Sequence, residues 1–118
     1  MIRPILACEN PYKAAEEFVA AGWKMDFSQP PESGDPLVGV SLYDNVVLLG
    51  ITEGYVANDV KRYIGCGIVF YLTVPSDDFS IVCENHKKFA SSALEVQTWG
   101  DTTFEVELAG FKFMITSN

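Results

Sequence analysis

Phe104-Glu105-Val106-Glu107-Leu108-Ala109-Gly110-Phe111-Lys112-Phe113-Met114-Ile115 is the stretch that decides the fold. Apolar and polar residues alternate on both sides of Ala109-Gly110, which is the period of a half-buried strand, and a two-residue link joins adjacent antiparallel strands. With that turn Leu108 lies opposite Phe111, Glu107 opposite Lys112 and Glu105 opposite Met114. Phe104, Val106, Leu108, Phe111, Phe113 and Ile115 then share one apolar face that helices must cover. The other face carries Asp101, Thr103, Glu105, Glu107, Lys112, Met114 and Thr116, with Trp99 in phase if the strand runs unbroken.

Upstream of this hairpin, Ile68 to Val74 reads as a β-branched and aromatic strand. A turn at Pro75-Ser76 leads into a helix with Phe79, Val82, Cys83, His86 and Phe89 on one stripe. Leu94-Glu95-Val96 then begins a further strand. The first half repeats the order. Pro4 to Cys8 is a strand, Asn10 caps a helix, and Pro11 occupies its first position, where a missing N–H costs nothing. Ala14, Ala15, Phe18 and Val19 recur at helical spacing, and Gly22 stops the helix. Trp23 to Phe27, Val38 to Leu42 and Val46 to Ile51 follow as strands, the last two joined at Tyr43-Asp44-Asn45. Residues 29–36 form a loop by composition, and the stretch from Glu53 to Gly67 is a connector. The expectation is one α+β domain over 1–118 built from two βαβββ modules, about 1–60 and about 66–118.

The formal net charge of −8 argues against a phosphate-backbone partner, because nucleic-acid affinity rests on Lys and Arg neutralising phosphates. No apolar run reaches the roughly 18 residues that a membrane span requires. Met1-Ile2-Arg3-Pro4 runs straight into a strand pattern without a leader, so a cytoplasmic location is expected. Cys8, Cys66 and Cys83 are odd in number and unpaired in spacing, as suits reduced thiols. His86, the only histidine, shares its stripe with apolar residues and reads as a core-edge side chain. There is no nucleophilic triad, phosphate-cradling glycine loop or dinucleotide fingerprint, so no catalytic residue is assigned.

Three passages resemble the glyoxalase/bleomycin-resistance (vicinal oxygen chelate) superfamily. Ile5-Leu6-Ala7-Cys8-Glu9-Asn10-Pro11 looks like its opening strand and helix start. Ile68 to Val74 looks like the opening of its second module. Trp99-Gly100 with Phe104-Glu105-Val106 and Gly110 resembles the closing segment of bleomycin-resistance-type proteins, although Leu108-Ala109-Gly110 is shorter than the family's usual turn. The resemblance implies a curved, mostly antiparallel sheet with a concave pocket and helices on its outer face. It places the family's metal ligands at Ile2, Val69 and Met114, with a fourth place in Val46 to Ile51. None of these residues suits a hard divalent cation, so no metal and no cofactor are expected. The closest members in type are the metal-free binding proteins.

The resemblance makes the polar face of the hairpin the pocket lining. Val69, Tyr71 and Thr73 join it by parity, and Ile2, Pro4, Leu6 and Cys8 join it from the first strand. The expected ligand-binding residues are Trp99, Asp101, Glu105, Glu107, Tyr71, Lys112 and Met114. An aromatic cation could stack on Trp99 or Tyr71 while Glu105 or Glu107 offsets its charge. Glu105 and Glu107 also read simply as solvent-facing residues of a half-buried sheet. The leading expectation is a non-catalytic small-molecule binder, in type a homodimer. One alternative is a metal-dependent lyase, isomerase or dioxygenase with an unusual site using Glu53, Glu105 or Glu107. Another is an interaction module that uses 55–63 or 29–36 as its contact surface.

Overall fold

The computed structural model describes residues 1–118. It is an α+β structure of two units, Met1–Ile64 and Gly65–Asn118, each with its own four-stranded mixed sheet. In the first unit the elements are β1 (Ile5–Cys8), α1 (Pro11–Ala20), β2 (Lys24–Ser28), β3 (Val38–Leu42) and β4 (Asn45–Ile51), with sheet order β1-β4-β3-β2. In the second they are β5 (Val69–Val74), α2 (Phe79–Asn85), β6 (Glu95–Val96), β7 (Thr102–Leu108) and β8 (Phe111–Ser117), with sheet order β5-β8-β7-β6. The opening strand of each unit pairs parallel with its last strand, and the remaining pairs are antiparallel.

Local chemistry accounts for the boundaries. The Asn10 Oδ1 accepts hydrogen bonds from the Tyr12 and Lys13 backbone N–H groups at 3.0 and 3.2 Å, satisfying two donors that the first helical turn leaves open. Ala14, Ala15 and Phe18 of α1 are buried, and the helix lies against β2, β3 and β4. Phe18 meets Trp23 edge-on with ring centroids 4.9 Å apart, and both are buried. Leu6, Cys8, Val38, Val40, Val47 and Leu49 complete this core.

Two expectations from the sequence are corrected here. Leu6 and Cys8 are core residues, only 4% and 7% exposed, so the uncovered face of β1 carries Ile5 and Ala7 instead. Every residue from Ile5 to Cys8 is apolar, so alternation could not reveal the parity. The second helix is shorter than its apolar stripe. It ends at Asn85, and Lys87–Phe89 forms a separate 3-10 turn. The chain must bend there because Ala90 bridges to Val106 and Ser91 N–H donates to the Glu105 carbonyl, closing part of the open edge of β7.

The closing hairpin has the register its alternation demands: Glu105 faces Met114, Glu107 faces Lys112 and Leu108 faces Phe111. Its six apolar residues are all buried, with Val106, Leu108, Phe113 and Ile115 fully so. The turn puts Ala109 at φ 53° and Gly110 at φ 84°, the paired positive values of a type I′ link.

Candidate functional site

The uncovered face of the second sheet is built row by row from its strand register. Val69, Lys112 and Glu107 form one row, and Tyr71, Met114 and Glu105 form the next. Thr73, Thr116, Thr103 and Glu95 form the third. All the expected site residues on strands, namely Tyr71, Glu105, Glu107, Lys112 and Met114, therefore share one face.

Trp99 and Asp101 reach this face by a different route. The strand does not run unbroken: β7 begins at Thr102, and Trp99 sits in the turn that joins it to β6. Gln97 N–H donates to the Asp101 carbonyl at 2.7 Å, and Gly100 N–H donates to the Gln97 carbonyl at 3.0 Å. Gly100 has φ 102°, a conformation that a side chain at this position would oppose. This tight turn presents the Trp99 ring, 59% exposed, beside Tyr71, 45% exposed.

A hydrogen-bonded chain fixes the two rings. The Trp99 indole N–H donates to the Tyr71 hydroxyl at 3.0 Å, and that hydroxyl donates to Asp101 Oδ2 at 2.5 Å. The ring centroids are 6.2 Å apart with planes tilted by 55°. By accepting the hydrogen bond of the phenol O–H, the Asp101 carboxylate pushes the Tyr71 acidity constant above its ordinary value, so the hydroxyl stays protonated at neutral pH. Deeper in the sheet, Gln97 Nε2 donates to Thr103 Oγ1 at 2.8 Å, and Thr116 Oγ1 donates to the Thr102 carbonyl at 2.8 Å.

The carboxylates differ in their freedom. Glu105 is half-buried, and its Oε1 accepts from Ser91 Oγ at 3.1 Å while its N–H donates to Ser92 Oγ at 3.1 Å. Glu107 and Lys112 are exposed and face one another across the strands without forming an ion pair. Asp101, Glu105 and Glu107 outnumber the single cation Lys112, so the face is acidic.

Sequence comparison with protein-family models gives no match. Comparison with curated proteins gives none either. Solved structures do match over the whole chain. A bleomycin-binding protein solved with bleomycin superimposes with a TM-score of 0.70 at 16% identity, covering 100% of this chain and 98% of that one. The chain has the glyoxalase/bleomycin-resistance fold. A glyoxalase/bleomycin resistance protein/dioxygenase superfamily member from Sphaerobacter thermophilus gives a TM-score of 0.72 at 15% identity, covering 100% of this chain and 97% of that one. A bleomycin resistance determinant encoded on a transposon gives 0.67 at 16% identity, covering 100% and 97%.

The resemblance implies metal ligands at Ile2, Val69 and Met114, and the side chains there can be tested against that role. Val69 offers only hydrocarbon and Met114 a thioether, Ile2 lies before β1 and out of phase with its uncovered residues Ile5 and Ala7, and no group of three or more His, Cys, Asp or Glu side chains comes together. His86 is fully buried, its Nδ1 donating to the Val82 carbonyl at 2.8 Å. Burial pushes its acidity constant below the ordinary 6.5. No helix is long and apolar enough to cross a membrane.

The sequence reading missed a cleft in the first unit. It measures about 420 Å³ and is lined by Ile5, Ala7, Leu37, Gly50, Ile51 and Tyr55, with Asp35 and Pro36 at its edge. The available signal was Gly50 in an otherwise large apolar strand, since a glycine inside a strand often marks a close approach or an unfilled space.

Proposed function

We propose that the chain is a non-catalytic small-molecule binding protein of the bleomycin-resistance type, sequestering an aromatic cation on the uncovered face of the second sheet. The observation that carries this reading is the Trp99–Tyr71–Asp101 chain of hydrogen bonds. Two exposed rings are held in fixed orientation beside three carboxylates, so a planar cation meets a preorganised wall. Each stacking or cation–π contact contributes about 0.5–2 kcal/mol, and Glu107 and Glu105 offset the ligand charge. Tyr71 is occupied as donor and acceptor, so the wall offers π surface and leaves charge recognition to the carboxylates.

The groups on this face bind and orient. Its phenol is held protonated and its other ionisable groups are carboxylates and one lysine, so the reading assigns no catalytic residue and no metal. The protein acts as a cytoplasmic homodimer in this reading, as the resemblance to drug-binding members implies.

Calorimetric titration with bleomycin and with ethidium, a planar cation, tests the reading. Binding is expected to be unchanged by EDTA, with the ligand recovered intact by mass spectrometry. Trp99→Ala is expected to weaken it about tenfold, the loss of roughly 1.4 kcal/mol of stacking. Binding that needs an added divalent metal, or a chemically altered ligand, would overturn the proposal.

A further inference from the structure

Residues 87–92 form a strap that runs from the end of α2 to the open edge of β7. Few bonds hold it there. Ala90 makes a single bridge to Val106, Ser91 N–H donates to the Glu105 carbonyl at 2.9 Å, and Glu105 N–H donates to Ser92 Oγ at 3.1 Å. The Ser91 hydroxyl adds a bond to Glu105 Oε1 at 3.1 Å. Phe89 is the strap's only large apolar side chain and is half-buried, while Ala90 and Ser91 are exposed. A segment with so little buried apolar surface opens at lower cost than the β7–β8 ladder beside it.

The strap is rooted at His86, the chain's only histidine. Its backbone N–H and its ring Nδ1 both donate to the Val82 carbonyl, at 3.1 and 2.8 Å, and its carbonyl accepts from Phe89 N–H at 2.9 Å. The ring is fully buried. Burial opposes the imidazolium more strongly than the Val82 carbonyl favours it, so the closed strap resists protonation. Of the ionisable groups on the elements around it, Asp77, Glu84, Lys87 and Lys88 are exposed, and Glu105 and Glu107 lie on the uncovered face of the sheet. Asp78 stands at the opposite end of α2. Burial raises the Cys83 thiol, which therefore stays neutral.

We propose that residues 87–92 are a proton-sensitive strap, closed at neutral pH and opened more often in acid, with His86 as the sensing group. Opening brings water to the ring. The open form then accepts a proton at the ordinary imidazole value of 6.5, while the closed form does so only at lower pH. Acid therefore favours the open form, and the bias grows from pH 6.5 downward until the closed ring titrates. What opening releases is Glu105, whose N–H loses Ser92 and whose carboxylate loses Ser91. The strap thus sets how firmly one carboxylate of the uncovered face is held. A role for that in ligand binding rests on the reading proposed above, whereas the strap itself does not.

The test is amide hydrogen exchange on the full chain without ligand at about pH 7.5 and about pH 5.5. Rates are expressed as protection factors, which removes the intrinsic pH dependence of exchange. Protection at the Ser91 and Glu105 amides is expected to fall severalfold in acid, with about tenfold as the ceiling for a group of ordinary value 6.5. His86→Gln should abolish the difference. Should that variant fold poorly, Ser92→Ala keeps the ring and removes one bond, so Ser91 protection should drop at both pH values and keep its pH dependence. Equal protection in the native chain at the two pH values overturns the proposal, as does a difference that survives His86→Gln or disappears in Ser92→Ala. So does a His86 ring that titrates near 6.5 by NMR while the strap amides stay protected. Because no step uses ethidium, the binding reading and the strap can each fail without the other.

Discussion

In the first unit the uncovered sheet face carries Ile5 beside Leu48 and Gly39, and Ala7 beside Gly50. The corresponding pairs in the second unit are Tyr71 beside Met114 and Glu105, and Thr73 beside Thr116. One βαβββ plan therefore supports two surfaces of opposite character. The first is apolar and floored by small residues, with the Phe27 ring laid over Gly39. The second is acidic, with its aromatic rings hydrogen-bonded into place. The buried faces are alike, so the strand pattern fixes the scaffold and the outward residues are free to set the chemistry.

The comparison breaks most decisively if the two cores prove unequal. Phe18→Ala and Phe113→Ala each remove a fully buried ring, and each should cost about 3–5 kcal/mol in denaturant unfolding. A small effect in one unit alone would mean that its core does not contribute to the folded state as burial suggests.

Backbone strain comes next. Gly65 has φ 86°, and a Cβ there would collide with the Gly110 carbonyl oxygen, so Gly65→Ala should cost about 3 kcal/mol or more. Gly34 has φ 81° with open space around it, so Gly34→Ala should cost only about 1–2 kcal/mol, for the left-handed conformation alone. Equal losses by thermal unfolding would contradict the contact at Gly110.

The hairpins closing the two units share a smaller weakness. Each places a non-glycine residue at positive φ, Tyr43 at 55° and Ala109 at 53°. Ala109→Gly should raise stability by about 1 kcal/mol.

A pH dependence separates the units further, because the only histidine lies in the second. Above the ordinary imidazole value of 6.5, His86 is neutral in both folded and unfolded chains. As the pH falls through 6.5 the unfolded chain takes up the proton first, so stability drops until the buried ring titrates at its lower value. His86→Leu should flatten the thermal unfolding profile between pH 7 and 5, whatever it does to stability at pH 7.

The smallest readout is thiol reactivity. Burial and the Glu17 carboxylate push the Cys8 thiol up to about 11, while Cys66 is exposed. Ellman's reagent should label Cys66 quickly and leave Cys8 unmodified until the chain unfolds.

How much of this was legible in the sequence depended on alternation. In Phe104 to Ile115 charged residues interrupt apolar ones at every second place, so faces, register and turn could all be read. In Ile5-Leu6-Ala7-Cys8 no polar residue marks the outward side, and the reading chose the wrong parity. Tyr71 and Trp99 were placed on one surface by counting, but their shared hydrogen bonds depend on the turn at Gly100, which breaks the strand. The cleft near Ala7 and Gly50 left only one mark in the sequence, a glycine in an otherwise large apolar strand. Its walls are drawn from the distant positions Leu37 and Tyr55.

The most direct test of the central claim, that the acidic aromatic face of the second sheet receives the ligand, is NMR mapping of ethidium on the isotopically labelled chain. The account predicts that the largest shifts fall on the Trp99 indole N–H, the Tyr71 ring and the Met114 methyl group, and that in Trp99→Ala the Tyr71 and Met114 shifts need about tenfold more ethidium. Shifts confined to other residues, or unchanged in the variant, would contradict it.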